Sequence, residues 1–199
     1  MENGFEWQED LKGLCEYVAR KVWFNNCANL PEKIIAFVHK YKNYGRYSNL
    51  KKRRIIKKLV YTISDYLKIN SKYINLEVGK YSERFIGCLG FFRPNSEIGA
   101  DIYISYSSEF TIYRQSAIIV HELTHYFAYL NEIFFETESE KCTDILAIFL
   151  GFYPILCDGY SEETYSSKVL FGNKKSMVAG YLSDCELGYC QTVISSMGR

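Results

Sequence analysis

Two histidines and a glutamate stand close together in a short motif that has the spacing of a metal site. Residues 118–127 read IIVHELTHYF, so His121 and His125 are four residues apart and Glu122 follows the first histidine. In a helix, four residues advance about 40° around the axis and about 6 Å along it, so both imidazoles leave the same face. Two neutral ring nitrogens can then bind one Zn²⁺ at about 2.0–2.1 Å, and Glu122 can take a proton from a metal-bound water.

The alternative interpretation of this motif is a pair of histidines packed on an ordinary helix. The chain contains three histidines, and two of them stand in this motif. With these numbers of His and Glu residues, a chance match is expected on the order of a few times in a thousand. The metal interpretation is therefore favoured.

A second polar group follows at the start of an apolar run. Glu140 and Asp144 are four residues apart in SEKCTD, and ILAIFLG comes directly after. On a helix both carboxylates share one face, so one can bind the metal while the other accepts the remaining N–H of a ligating histidine. Glu140 alone could instead be a carboxylate stabilised by the helix dipole. An Asp among apolar neighbours, however, needs a partner.

The two motifs together resemble those of the gluzincin metallopeptidases, in which a His-Glu-x-x-His helix precedes a helix carrying Glu-x-x-x-Asp. The resemblance covers roughly residues 117–151. The short linker between the motifs and the small size of the chain resemble compact cytosolic gluzincin-type proteins of bacteria. The resemblance implies that Glu122 is the general base and that Asp144 supports a zinc ligand, His121. The implied zinc ligands are His121, His125 and Glu140.

The activity implied by the resemblance is a zinc-dependent endopeptidase acting on a protein or peptide. Because a chain of 199 residues offers little material for a deep cleft, we expect limited cleavage of an intracellular protein. The competing hypothesis is a non-catalytic zinc-binding module, regulatory or protein-interacting, with the same zincin-like fold. Glu122 favours the enzyme, since a structural zinc needs no base and is more often closed by four Cys and His ligands.

Three other glutamates lie between the motifs and compete with Glu140 as third ligand. Glu138 is the strongest rival because it is only two residues away, whereas Glu132 and Glu136 are interpreted as solvated linker residues. We prefer Glu140 because it alone has an acid four residues further on.

The residue that stabilises the oxyanion is left open. Thermolysin-like gluzincins use a further His and Tyr for this role. The remaining histidine here, His39, lies far upstream, so we look for the oxyanion-stabilising residue among the 18 tyrosines.

Composition predicts an ordinary globular protein of one domain. Hydrophobic residues make up 48% and charged residues 24% of the chain, close to average values. The net charge of +1 favours neither a specific nucleic acid nor a membrane as partner. No uncharged apolar run approaches the roughly 18 residues that span a bilayer. The first residues, MENGFE, carry no secretory signal, so we expect a cytoplasmic location; the oligomeric state is left open.

Seven cysteines are scattered along the chain without a Cys-x-x-Cys pair, so a structural zinc ribbon is not expected. Reduced, buried thiols are the ordinary interpretation. The alternative is that one thiolate occupies the open zinc position and holds the enzyme latent. Cys157, expected in the turn after the glutamate helix, is the best-placed candidate.

The pattern of apolar residues predicts an α+β, zincin-like fold in a single domain, 1–199. It has a helical N-terminal part (1–70), a small, mostly antiparallel sheet with the metal helix and the glutamate helix (71–151), and a C-terminal part (152–199). The predicted helices are 6–23, one starting at Pro31, 50–68, 112–129, 139–149 and one capped by Ser183 that reaches Ile194. The predicted strands are 73–78, 85–92 and 101–106.

One of these strands is expected to form a sheet edge beside the metal. In gluzincin-like folds such an edge pairs with the substrate backbone. Strands 101–106 and 85–92 are equal contenders, and the alternative for 101–106 is an ordinary interior strand.

The segment from Lys40 to Lys58 contains nine Lys or Arg residues and no acid. Such a cluster can form a nucleic-acid surface. Its charges nevertheless interleave with an apolar stripe that begins with Ile55 and Ile56, as on the solvated face of an ordinary amphipathic helix. We prefer this second interpretation.

Overall fold

The computed structural model describes residues 6–22, 32–80, 89–166 and 181–197. In these ranges the chain forms an α+β fold with seven α-helices and one three-stranded sheet, which confirms the predicted class. The helices are α1 (Glu6–Lys21), α2 (Glu32–Lys40), α3 (Asn49–Tyr66), α4 (Ile112–Leu130), α5 (Ser139–Phe149), α6 (Tyr153–Ser166) and α7 (Asp184–Met197). The strands are β1 (Ile74–Lys80), β2 (Gly90–Pro94) and β3 (Ala100–Tyr106).

The sheet is mixed, with strand order β1-β3-β2, so the prediction of a mostly antiparallel sheet is wrong. Strand β2 is antiparallel to β3, whereas β1 is parallel to β3 along its whole length. The chain reverses direction twice between β1 and β3, and β3 then inserts between the two earlier strands. Local patterns do not encode this insertion, because they show strands and turns but not which strands become neighbours.

Among the described strands β3 is central and β1 and β2 lie at the two edges, so the interpretation of 101–106 as an interior strand is correct. Of the two contenders for the edge beside the metal, β2 is the one at an edge. Residues 81–88, which include much of the predicted strand 85–92, lie outside the described residues. The hairpin between β2 and β3 closes with a hydrogen bond from Asn95 N–H to the Gly99 carbonyl at 3.1 Å. Tyr126 of α4 donates to the Ile98 carbonyl at 2.5 Å, which fixes the hairpin against α4.

Helix α4 lies at the centre of the molecule. The α3 and α4 helices contact the sheet, α5 and α6 pack on α4, and α1 and α7 pack on α5. Because α4 has neighbours on several sides, most of its residues are buried. Its N-terminus is capped by Thr111, whose side chain accepts from Arg114 N–H. In the described part of the chain, no helix combines the length and the apolar character needed to cross a membrane.

Helix α5 has the predicted bounds, and Gly151 follows it with φ 89°, a left-handed conformation that suits glycine at a helix end. The capping box at the start of α7 is also confirmed. Glu186 accepts from Ser183 N–H at 2.7 Å, and Glu186 N–H donates to the Ser183 hydroxyl at 3.4 Å.

Helix α6 was not predicted, and it contains Cys157, so the expected turn at Cys157 is wrong. Its first turn contains Pro154, which a helix tolerates there because the first N–H groups have no helical partner. Gly159 lies in its interior. Apolar residues follow no clear stripe along it, because α6 contacts both α4 and α7.

The apolar stripe of α3 is confirmed and its basic residues lie on the solvent side, with one exception. Lys52 is only 2% exposed, and its ammonium lies 5.5 Å from the centre of the Tyr44 ring. The buried residues of the stripe are Ile55, Ile56, Leu59, Val60 and Ile63.

Replacement of Arg53, Arg54 and Lys57 by Gln in one variant should leave the thermal unfolding midpoint nearly unchanged, because all three side chains are exposed. Lys52→Ala should lower the free energy of unfolding by about 1 kcal/mol, because its aliphatic stem is buried. Circular dichroism on heating measures both changes.

The same triple variant tests the preference for a solvated helix face. Wild type and variant should both show only weak, salt-sensitive attraction to duplex DNA. Micromolar binding at physiological salt that disappears in the variant would contradict this preference.

Candidate metal centre

Helices α4 and α5 bring three ligand atoms together. His121 and His125, one turn apart on α4, place their Nε2 atoms 3.1 Å from each other. Glu140, in the first turn of α5, places Oε2 at 2.9 Å from His121 Nε2 and 3.1 Å from His125 Nε2. These three residues therefore form a group that can hold a metal ion.

The size of this triangle fits a small divalent ion. In a tetrahedral zinc site with bonds of about 2.0–2.1 Å, neighbouring ligand atoms lie roughly 3.3–3.4 Å apart. Each side of the observed triangle is within a few tenths of an ångström of that separation. Small side-chain rotations are therefore enough to accept the ion.

Both imidazoles are oriented by hydrogen bonds on the opposite side of the ring. His121 Nδ1 is 2.8 Å from Asp144 Oδ1. His125 Nδ1 is 3.3 Å from the Thr143 hydroxyl, which itself donates to the Ser139 carbonyl at 2.8 Å. Carboxylate and hydroxyl oxygens accept here, so both Nδ1 atoms carry a proton. The Nε2 atoms, which face Glu140, are the atoms that a metal ion would bind after any proton on them is released.

Thr143 was missed by the sequence analysis, although its spacing carried a signal. Glu140, Thr143 and Asp144 stand at positions i, i+3 and i+4 of α5, which share one helix face. A Thr can accept from an imidazole as an Asp can, but the sequence does not distinguish this role from simple packing.

Asp144 lies where the paired-carboxylate spacing placed it and is completely buried. Its Oδ1 accepts from His121 and from the Tyr160 hydroxyl, at 2.8 and 2.9 Å. Its Oδ2 accepts from Tyr181 N–H at 2.9 Å. Such a set of donors offsets the cost of burying a carboxylate.

The charges around the triangle favour a cation. Burial alone would lower the pKa of His121, but hydrogen bonds to Asp144 and Glu140 outweigh it and raise this pKa to about 10. Hydrogen bonds from His121 and His125 hold the pKa of Glu140 well below its usual range, against the effect of burial. A metal ion that bound here would replace a proton on His121, so its affinity should rise with pH.

Glu122 lies beside the triangle and is 7% exposed. Burial, with a contribution from the charge of Glu140 and against that of His121, raises the pKa of Glu122 to about 7. Its carboxylate packs directly on Gly90 of β2, where a Cβ atom would lie 2.7 Å from Glu122 Oε1. A carboxylate with a pKa near neutrality can both accept and return a proton.

An open cleft of about 190 Å³ leads to these side chains. Two aromatic rings cover the histidines: Phe92 stacks on His125 with 6.2 Å between centroids, and Tyr181 stacks on His121 at 5.6 Å. The cleft is lined by Gly90, Phe91, Phe92, His121, Glu122, His125, Glu140 and Tyr181. The ligand triangle is thus open to solvent on one side, and the Glu140 side chain is 41% exposed.

The rival glutamates do not join this group. Glu138 immediately precedes α5 and is exposed, with its carboxylate 3.7 Å from the Lys141 ammonium. Glu132 and Glu136 are exposed residues of the linker between α4 and α5. Among the described residues, Glu140 is the glutamate that meets both histidines.

Cys157 does not line the cleft. It is half-buried in α6 and has a hydrogen bond with the Tyr153 side chain. Burial raises the pKa of this thiol, which disfavours the thiolate that metal binding needs. The geometry therefore gives no support to a latent state held by Cys157.

No known protein family, curated protein or solved structure matches this chain.

Removal of a ligand should show which carboxylate binds the metal. Glu140→Gln should weaken metal binding strongly, and His121→Ala or His125→Ala should abolish it, because two remaining ligands bind poorly. Glu138→Gln is the matched control and should bind as wild type does. Metal content after dialysis, together with titration of the metal-free protein, measures this, and equal losses in Glu138→Gln and Glu140→Gln would contradict the assignment.

Proposed function

We propose that this protein is a zinc-dependent metallopeptidase of gluzincin type that cleaves a peptide bond in a protein substrate. The observation that carries the proposal is the convergence of His121, His125 and Glu140 on one point at the base of an open cleft, with Glu122 beside it. Catalytic zinc sites use three protein ligands and keep one position open.

The donor set favours zinc over harder cations. Two imidazole nitrogens and one carboxylate are a ligand set that zinc uses in hydrolases, whereas Mg²⁺ and Ca²⁺ prefer oxygen ligands. Hydrogen bonds from both Nδ1 atoms to Asp144 and Thr143 fix the tautomer that zinc binding requires.

Each side chain has a defined task in this proposal. Zinc, when bound, supplies a Lewis acid that polarises the peptide carbonyl and activates a water. Glu122 takes the proton from the attacking water and passes it to the amine of the departing peptide. In the metal-free protein burial raises its pKa to about 7, and a bound cation would lower this value towards the range of an ionised base.

Edge strand β2 is the natural partner of the substrate backbone. Ser105 N–H donates to the Leu89 carbonyl, so Leu89 faces β3 and, by alternation, the peptide group of Phe92 faces the outer edge. Pro94 ends the strand and has no N–H to offer. We infer that a short, extended substrate segment adds to β2 beside the metal by main-chain hydrogen bonds.

Tyr181 is our candidate for the oxyanion donor. Among the described tyrosines it is the one that lines the cleft, and its ring packs on the ring of His121. A phenol O–H can donate to the developing charge on the carbonyl oxygen.

The competing hypothesis stays the non-catalytic zinc-binding module. In such a protein the metal would have a structural or regulatory role, and Glu122 would be dispensable. The cytoplasmic location and the intracellular substrate expected from the sequence likewise stay predictions.

Glu122→Gln should distinguish a metallopeptidase from a non-catalytic zinc-binding module. The amide keeps the shape of the side chain but removes the base, so zinc content should be retained while peptide cleavage falls by at least about 100-fold. Burial raises the pKa of Glu122 to about 7, so its ionised form costs stability increasingly as the pH rises from about 4.5 to 7. The thermal midpoint of the metal-free variant at pH 8 should therefore equal or exceed that of wild type.

Mass-spectrometric mapping of new protein termini in cells that contain wild type or Glu122→Gln measures this cleavage. Identical maps, with zinc bound in both proteins, would favour the non-catalytic module.

Tyr181→Phe should lower kcat by about 10²–10³-fold with little change in KM, because an oxyanion donor acts in the transition state. Zinc affinity should be preserved, since Asp144 is bound by the backbone N–H of this residue and not by its ring. Kinetics on a peptide identified by the cleavage map test this. A variant with wild-type kcat would exclude Tyr181 as the donor.

A further inference from the structure

We propose that Tyr160 is a positioning residue of the metal centre, which holds the Asp144 carboxylate in the orientation that fixes the His121 ring. This inference rests on the zinc site of the proposed function, but it does not depend on peptidase activity. Tyr160 belongs to α6, which the sequence analysis missed, and its side chain does not line the cleft.

The contact is direct and buried. Tyr160 is 6% exposed, and its hydroxyl donates to Asp144 Oδ1 at 2.9 Å. The same oxygen accepts from His121 Nδ1 at 2.8 Å. The other oxygen, Oδ2, is bound by Tyr181 N–H. Tyr160 and Tyr181 therefore hold the two oxygens from different sides and prevent the carboxylate from rotating.

Gly159 brings Tyr160 to this position. A Cβ atom at residue 159 would lie 2.5 Å from Ala117 Cβ and 2.9 Å from the Tyr113 carbonyl oxygen, both on α4. Helices α4 and α6 thus cross with almost no space between them. Ala117 is one turn before His121, so the crossing point and the metal ligand share the same part of α4. A side chain at residue 159 must move α6 away from α4 and lengthen the hydrogen bond from Tyr160 to Asp144.

The orientation of the His121 ring decides how well it binds metal. Its Nε2 lone pair must point to the same place as the ligand atoms of His125 and Glu140, and the hydrogen bond from Nδ1 to Asp144 limits the rotation of the ring. Loss of the group that holds a ligating histidine typically costs 10–100-fold in metal affinity. Tyr160 is one hydrogen bond further from the metal than Asp144, so removal of its hydroxyl should lower metal affinity less, by about 3- to 10-fold.

The test is the zinc affinity of Tyr160→Phe, measured at a temperature well below unfolding by competition with a chromogenic chelator. We expect it to be about 3- to 10-fold weaker than that of wild type, with altered visible absorption bands of the Co²⁺-substituted protein. Tyr66→Phe is the matched control, because its hydroxyl donates to the Leu150 carbonyl at 2.8 Å at the end of α5. It should lose comparable stability but keep zinc affinity and the Co²⁺ bands.

Gly159→Ala provides a second, independent arm. It should weaken zinc binding in the wild-type background but have less effect when Tyr160 is already Phe, because both changes remove the same bond. If the wild-type protein binds zinc and the zinc affinity of Tyr160→Phe is within twofold of the wild-type value, this inference is overturned but the proposed function is not. A wild-type protein that binds no zinc would overturn both the inference and the proposed function.

Discussion

The structure depends on the burial of one carboxylate, that of Asp144. A carboxylate with no solvent exposure is costly unless several donors surround it. Its donors come from three different elements: His121 from α4, Tyr160 from α6 and the backbone of Tyr181 from the segment before α7. Asp144 itself belongs to α5. The polar group that orients a metal ligand is therefore also the point where four parts of the chain meet.

The metal centre places three carboxylates close together, and this explains its demand for positive charge. Burial would lower the pKa of the His121 imidazole, but hydrogen bonds to Asp144 and Glu140, together with the charges of Asp144 and Glu122, raise it. Without a metal ion, a proton on His121 supplies the balancing charge. With a metal ion, the same carboxylates stabilise the cation instead. A divalent ion that displaced this proton would add one net positive charge, which the same carboxylates can accept.

The sequence predicted the elements of the site much better than their arrangement. The spacing of His121 and His125, and that of Glu140 and Asp144, follows from helix periodicity, so the sharing of each helix face could be predicted. The parallel pairing of β1 with β3 and the contribution of α6 could not, because they depend on which elements pack together. Tyr160 illustrates this limit: its sequence neighbours contain no motif, and its role follows only from the close crossing of α6 over α4 at Gly159.

The edge strand and the proposed base restrict each other through Gly90. The Glu122 carboxylate packs where the side chain of residue 90 would be, so a side chain at this position would displace that carboxylate. Phe92, two residues further on, covers His125 from the same strand. A substrate segment added to β2 would consequently be aligned by the strand that positions the base and covers a metal ligand. One short strand would thus couple the placement of the peptide bond to that of the groups proposed to cleave it.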